Sequence, residues 1–204
     1  MALSKIQTGL VDANAIGTAE LSSPLNLSSK TLNISNVNNT FPAGHVVQTV
    51  HNTPGTTIHL QLSTSPPSFT EFHTSYRTSI TPKFSNSILK LTWNGLVGGR
   101  NQSTIMSFKF YDQTNSSNVQ TSTLGTGSNR TFCNASIRDM AADTNDRMHL
   151  NMIAYQSASS TTARTYGIYG CMESGATWNV NMTSTDNAGC SYVSPSFTIE
   201  EIAQ

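Results

Sequence analysis

The chain has 204 residues, enough for one sizeable domain with its own core plus a short accessory segment. Eleven basic residues balance eleven acidic ones and no two basic residues adjoin, so the electrostatic footprint of a nucleic-acid binder is missing. Charged residues make up only 11% and hydrophobic residues 36%, with Ser, Thr and Asn filling the gap; this suits pleated strands and turns rather than disorder, which couples low hydrophobicity to high charge.

The opening, MALSKIQTGLVDANAIGTAEL, places Leu3, Ile6, Leu10, Val11, Ile16 and Leu21 at loosely helical spacing, but Gly9, Gly17 and the Asp12-Ala13-Asn14 step interrupt a continuous helix. Lys5, Gln7, Asp12 and Asn14 also break up the apolar core that a secretory signal needs, so the chain is expected to be made in a cytoplasm and to keep its Met1. No apolar run approaches the roughly 18 to 20 residues of a membrane span, so membrane insertion is not expected. From Ser22 the rhythm becomes alternating, with Leu25, Leu27, Leu32 and Ile34 around Ser28-Ser29-Lys30, as in a short hairpin.

Neither half of this segment holds enough apolar surface to fold alone. It makes physical sense as an attachment or trimerisation arm whose apolar side, Leu3 to Leu21, is buried against another chain; the other reading is a leader packed loosely on its own domain. Asn36 to Gly44, NVNNTFPAG, reads as a linker, giving an arm over 1–44 and a domain over 45–204.

Beyond the linker come short alternating runs: His45–His51, Thr57–Leu62, Tyr76–Thr81, Ile88–Trp93, Thr104–Tyr111, Asn129–Arg138, Met148–Tyr155, Ala163–Cys171, Ala176–Met182 and Phe197–Ile202. Asn94-Gly95, Gly98-Gly99, Thr123 to Asn129 and Thr185 to Gly189 read as turns, Pro66-Pro67 as a stiff extended loop, and Ser136 to Met148 as a loop. The pattern predicts an all-β chain, an antiparallel jelly-roll-like β-sandwich behind a short N-terminal arm. Leu89, Leu91 and Trp93 share one side of a strand, as do Met106, Phe108 and Phe110, and Trp178, Val180 and Met182; these faces are the expected core. Met148 to Tyr155 is apolar on both faces, which predicts either a central strand or one face meeting a second subunit.

Candidate chemistry is sparse. His45, His51, His59, His73 and His149 are dispersed without metal-ligand spacing, and the Asp139, Asp143, Asn145, Asp146 cluster lacks the glycine and terminal glutamate of a calcium loop, so no metal and no cofactor is expected. Glu200 and Glu201 are neighbours on a strand and point to opposite faces, which rules them out as a paired acid and base. No Gly-x-Ser-x-Gly elbow is present and GLVGG at 95–99 is followed by no Lys-Ser/Thr, so a catalytic role is not expected. Cys133, Cys171 and Cys190 form no Cys-x-x-Cys pair; they read as reduced thiols, or as one bridge plus one free thiol. What remains is a binding surface: Tyr111, Tyr155, Tyr169, Trp178 and Tyr192 are amphipathic aromatics able to stack on sugar rings, and Asp186 and Asn187 offer hydrogen bonds; the other reading places these aromatics in a core or a subunit interface.

Taken together, TSITPKFSNSILKLTW, TIMSFKFYD, ARTYGIYG and the closing SFTIEEIA resemble the C-terminal domains of tailed-bacteriophage fibre proteins, especially those of marine and cyanobacterial phages. In that family a T-x-T-P-x-x-x-x-S-K-I-x-V strand pair opens the sandwich and an S-T-I-T-V-x-E-I strand closes it; Thr78 to Leu91 and Ser196 to Ile202 match these ends. The opening 21 residues also resemble the N-termini of phage virion proteins. The resemblance implies a non-enzymatic virion surface protein assembled in the host cytoplasm. It would be homotrimeric, its arm docked on a tail hub, adaptor or major capsid protein and its sandwich turned towards a host glycan. Because no coiled-coil or collagen-like shaft separates the two ends, a short tail fibre is expected; the alternatives are a capsid decoration, cement or head-fibre protein and, in another class, a glycan esterase or depolymerase.

Overall fold

In a computed structural model the described residues are 41–54, 60–63, 68–99, 105–119, 133–138, 148–172, 177–180 and 194–204. Among them the regular elements are strands, apart from a 3-10 turn at Thr74–Tyr76. In chain order they are β1 (Val46–Asn52), β2 (Leu60–Ser63), β3 (Thr70–Glu71), β4 (Thr78–Ile80), β5 (Ile88–Gly99) and β6 (Ile105–Asp112). There follow β7 (Ser117–Asn118), β8 (Ala135–Arg138), β9 (Met148–Ser157), β10 (Arg164–Met172), β11 (Thr177–Val180) and β12 (Ser196–Ile202). Contacts divide the chain into Met1–Thr40 and Phe41–Gln204, and every described residue belongs to the second unit.

Alternation decides which side of each strand is dry. Along β6, Met106, Phe108, Phe110 and Asp112 are buried while their neighbours are half-exposed, and β12 alternates in the same way around Phe197 and Ile199. On β5, Leu89, Leu91, Trp93 and Val97 are buried. These faces belong to two antiparallel sheets, one in the order β1-β12-β5-β11-β2 with β9 also on β5, the other β3-β10-β6-β7 with β4 on β10 and β8 on β6. The sheets meet through ring contacts: Phe72 stands edge-on to Trp93 at 5.5 Å, and Phe110 stacks on Phe197 at 5.4 Å. Each such side chain contributes about 1.5–3 kcal/mol by leaving water, so this shared layer is what holds the sandwich closed.

All pairings are antiparallel and most of them nest. β1 pairs with β12, β2 with β11, β3 and β4 with β10, β5 with β9, and β6 with β7 and β8. The chain therefore runs as one long two-stranded ribbon doubled back near β7. The ribbon then wraps on itself, and β12 and β11 zip onto β5 while β10 zips onto β6.

Two carboxylates anchor this wrapping. Glu201 on β12 is fully buried, and its oxygens accept from the Lys83 and Phe84 backbone N–H groups at 2.9 Å, the Ser87 hydroxyl at 2.7 Å and the Gln48 amide at 2.6 Å. It thereby ties the connection between β4 and β5 to the first and last strands. Glu200 points the other way and pairs with Lys90 at 2.7 Å, so the two glutamates occupy opposite faces. Further along the sandwich, buried Asp112 accepts from the Asn115 backbone N–H at 3.0 Å, closing the turn into β7 with Ser116 in the left-handed region at φ 51. Arg164 lies 3.9 Å from the same carboxylate.

The structure departs from the sequence reading at two places and narrows it at a third. Asn94-Gly95 and Gly98-Gly99 are not turns: β5 runs through them, because β9 pairs with it from Ile88 to Val97 and β11 from Val97 to Gly99. Ladder pairing with these neighbours overrides the local turn preference. Tyr76 belongs to the 3-10 turn, not to a strand; His73 caps this turn by accepting from the Ser75 N–H at 3.1 Å, and extended structure starts at Thr78. β9 is not a central strand, since among the described residues it pairs with β5 alone; Leu150, Met152 and Ala154 point inward while Ile153 and Tyr155 are 46% and 47% exposed.

Of the expected arm and linker, 1–40 lies outside the described residues. Residues 41–44 pack on the sandwich: the Phe41 ring stacks on His45 at 5.1 Å and meets Phe84 edge-on at 5.8 Å, and the Gly44 N–H donates to the Ala203 carbonyl at 2.8 Å. Cys133 and Cys171 are free thiols, and Cys190 lies outside the described residues.

Candidate binding face

The sheet that holds β3, β10, β6 and β7 turns one side to the core and the other outward. On β6 the outward positions include Ser107, Lys109 and Tyr111; on β10 they include Thr165, Gly167 and Tyr169. Register then builds a surface. Tyr169 lies opposite Lys109 on one side and Glu71 on the other, while Tyr111 lies between Gly167 and Asn118. Tyr111 and Tyr169 are thus diagonal neighbours, and their ring centroids are 5.0 Å apart at a tilt of 49°.

Polar groups frame the two rings. The Gln113 amide donates to the Tyr169 hydroxyl at 2.7 Å and to Glu71 at 3.1 Å, and Arg77 grips Glu71 with two bonds of 2.7 and 2.8 Å. On the other flank the Lys109 ammonium donates to the Asn118 side-chain oxygen at 2.8 Å, lying 4.3 Å from the Phe69 centroid and 5.4 Å from that of Tyr111.

Gly167 makes this packing possible. A Cβ there would stand 2.8 Å from the Gln113 amide nitrogen and 3.0 Å from a Glu71 oxygen, so the missing side chain is the space into which those two groups fold.

Electrostatics follow from the contacts. The Glu71 hydrogen bonds and charge raise the Arg77 guanidinium above its ordinary value, whereas burial lowers Lys109. Burial raises the Tyr169 phenol against the opposing pull of the Gln113 hydrogen bond, and it pushes the Cys171 thiol up to about 11. The face offers aromatic area, an amide and a cation on a rigid sheet, a combination suited to holding a polar ring compound.

The structure brings together two of the aromatic residues singled out from sequence, Tyr111 and Tyr169. Tyr155 is elsewhere, on the outer side of the other sheet, opposite Lys90 and two residues from Ile153. Trp178 lies in β11 with its backbone opposite Leu62 and Gly99. Tyr192, Asp186 and Asn187 lie outside the described residues, as do Leu3, Ile6, Leu10, Val11, Ile16 and Leu21. Sequence reasoning missed Phe69, Glu71, Lys109, Gln113 and Asn118 as parts of this face. Lys109 was findable, since it shares the outward parity of Tyr111; Phe69 and Glu71 were not, because β3 is two residues long and carries no alternating run. Of the histidines, His51 Nδ1 lies 2.8 Å from the Thr198 hydroxyl and His73 caps the 3-10 turn; among the described residues no three His, Cys, Asp or Glu side chains gather as metal ligands.

No protein-family profile matches the chain, and no curated protein matches it in sequence. Among the described residues no helix is long and apolar enough to cross a membrane.

Proposed function

We propose that the chain is a structural protein of a bacteriophage virion surface, a short tail-fibre protein that attaches to a glycan on the host. The observation that carries this reading is the nested strand pairing. A doubled ribbon wrapped into two facing antiparallel sheets supports reading the sandwich as a jelly roll, an architecture of viral capsid and lectin domains. The two stretches that resemble the phage-fibre domain also meet in space, since the Ser87 hydroxyl bonds to Glu201 at 2.7 Å. The resemblance therefore falls on residues that close the fold.

In this reading the segment before Phe41 docks on the particle and the sandwich presents Tyr111 and Tyr169 outward. The protein works by binding rather than catalysis, and its other partners are copies of itself and a tail or capsid protein. Assembly as a homotrimer repeats one weak saccharide site three times, which raises avidity without any new contact. Immunogold electron microscopy of intact particles tests the reading: few copies at the tail are expected. Label spread over the head would make the protein a capsid decoration protein, and unlabelled particles would overturn the virion assignment. Light scattering of the full chain is expected to give about three times 22.0 kDa, and a monomer mass would remove the trimer.

A further inference from the structure

We infer that the saccharide held on the Tyr111–Tyr169 face is acidic, bearing a carboxylate or a sulfate, and that Lys109 is the residue that reads its charge. The inference rests on the glycan-attachment reading above and narrows it. Among the described side chains three charged ones stand on this face, and they are not equivalent. Glu71 and Arg77 neutralise one another through a two-bond fork, leaving neither free to select a charged ligand. Lys109 has no carboxylate against it among the described residues; its hydrogen-bond partner is the neutral oxygen of Asn118.

Packing makes that cation more than a solvated surface lysine. Its stem emerges from the middle of β6, its register partner is Tyr169, and its ammonium lies against Phe69 and Tyr111 at 4.3 and 5.4 Å. It is partly desolvated, and burial works against its charged form. A negatively charged group arriving beside it would supply the counter-charge that the fold omits. The flanking rings and the Asn118 amide would meet the rest of the sugar. Lys90 is the internal contrast: it sits on the outer side of the opposite sheet and is already paired to Glu200 at 2.7 Å.

The experiment is calorimetric titration of the full chain with three oligosaccharide sets: carboxylated (alginate oligomers), sulfated (carrageenan oligomers) and neutral (malto-oligosaccharides). At least one acidic set is expected to bind about tenfold or more tighter than the neutral set, and which one identifies the anion. Lys109→Met is expected to abolish this preference, Lys109→Arg to retain it, Tyr111→Ala to weaken all binding, and Lys90→Met to change nothing; unchanged melting curves verify that each variant folds. Equal affinity for acidic and neutral sugars overturns the inference and leaves saccharide attachment standing. Equal losses in Lys109→Met and Lys90→Met also overturn it, since attraction would then be diffuse. Failure to bind any of the three sets overturns it together with saccharide attachment, while the position on the particle is decided separately by microscopy.

Discussion

Replacing Glu201 tests the packing argument most severely. Its carboxylate is wholly buried and is met by four donor groups: the N–H of Lys83, the N–H of Phe84, the hydroxyl of Ser87 and the amide of Gln48. Hydrogen bonds to a charged group contribute about 1.5–3 kcal/mol each, but Lys83 is exposed and part of the connection can turn to water once released. Glu201→Ala is therefore expected to cost about 3–5 kcal/mol, or about 8–15 °C in melting temperature for a domain of this size. Glu201→Gln keeps one acceptor oxygen and sets an amide against the remaining donors, for about 1–2 kcal/mol.

The same site predicts acid sensitivity. Burial alone would raise the Glu201 carboxyl, but the Lys83 and Phe84 amides, then Ser87 and Gln48, hold it below its ordinary value of 4.5. A carboxylate depressed in the folded state adds stability above the unfolded value, and that contribution disappears as pH falls through the folded one. Thermal melts by circular dichroism from pH 7 down to about pH 2 should show the wild type converging on Glu201→Gln as acid is added. An alanine variant melting within about 2 °C of wild type, or parallel acid slopes for wild type and Glu201→Gln, would show that the buried carboxylate does not anchor the fold.

Three further outcomes are expected. Burial raises the Tyr166 phenol to about 12 from an ordinary 10, with Arg164 pulling the other way, so its stabilisation is complete below pH 10 and is lost as pH climbs towards 12; absorbance at 295 nm should show one tyrosine ionising only as the protein unfolds, a step absent from Tyr166→Phe. A protein beginning at Phe41 should melt above one beginning at His45 by the equivalent of about 2 kcal/mol, because the shorter form loses the Phe41 ring contacts and the Gly44 bond to Ala203; equal melting would place 41–44 outside the cooperative unit. With its thiol pushed up to about 11, Cys171 should resist a disulfide reagent at pH 8 in the native protein and react at once in denaturant; rapid native labelling of Cys171, located by mass spectrometry, would contradict its burial.

The strands that could be read from sequence were those whose two faces differ. Leu89, Leu91 and Trp93, or Met106, Phe108 and Phe110, announce an inward side by alternation alone, and the structure buries all six. Glu200 and Glu201 likewise separate by parity, though nothing local reveals that Glu201 would gather donors from residues more than 100 positions away. Asn94-Gly95 misled for the opposite reason: its turn signal is local, whereas its strand conformation comes from Leu150 and Asn151 on β9, and no single-segment pattern contains that partner. The binding face was half legible. Tyr111 and Tyr169 carry the right chemistry, but their adjacency depends on the β6–β10 register, and Gly167 gives no hint of being a seat for Gln113 and Glu71 until that register is fixed.

The nested ribbon also sets an order of assembly during synthesis. The pairs nearest its fold, such as Tyr111 with Asn118, close short loops and can form while the chain is still emerging, but Val46 must wait for Ile202. Until the closing segment leaves the ribosome, β5 lacks its neighbour β12, and Leu91 and Trp93 lack the cover of Ile199 and Phe197. Folding should therefore be slow and completed only when β12 joins β1 and β5. A chain cut before Ser196 leaves an exposed sheet interior, so a product lacking β12 is prone to aggregation rather than slightly weakened.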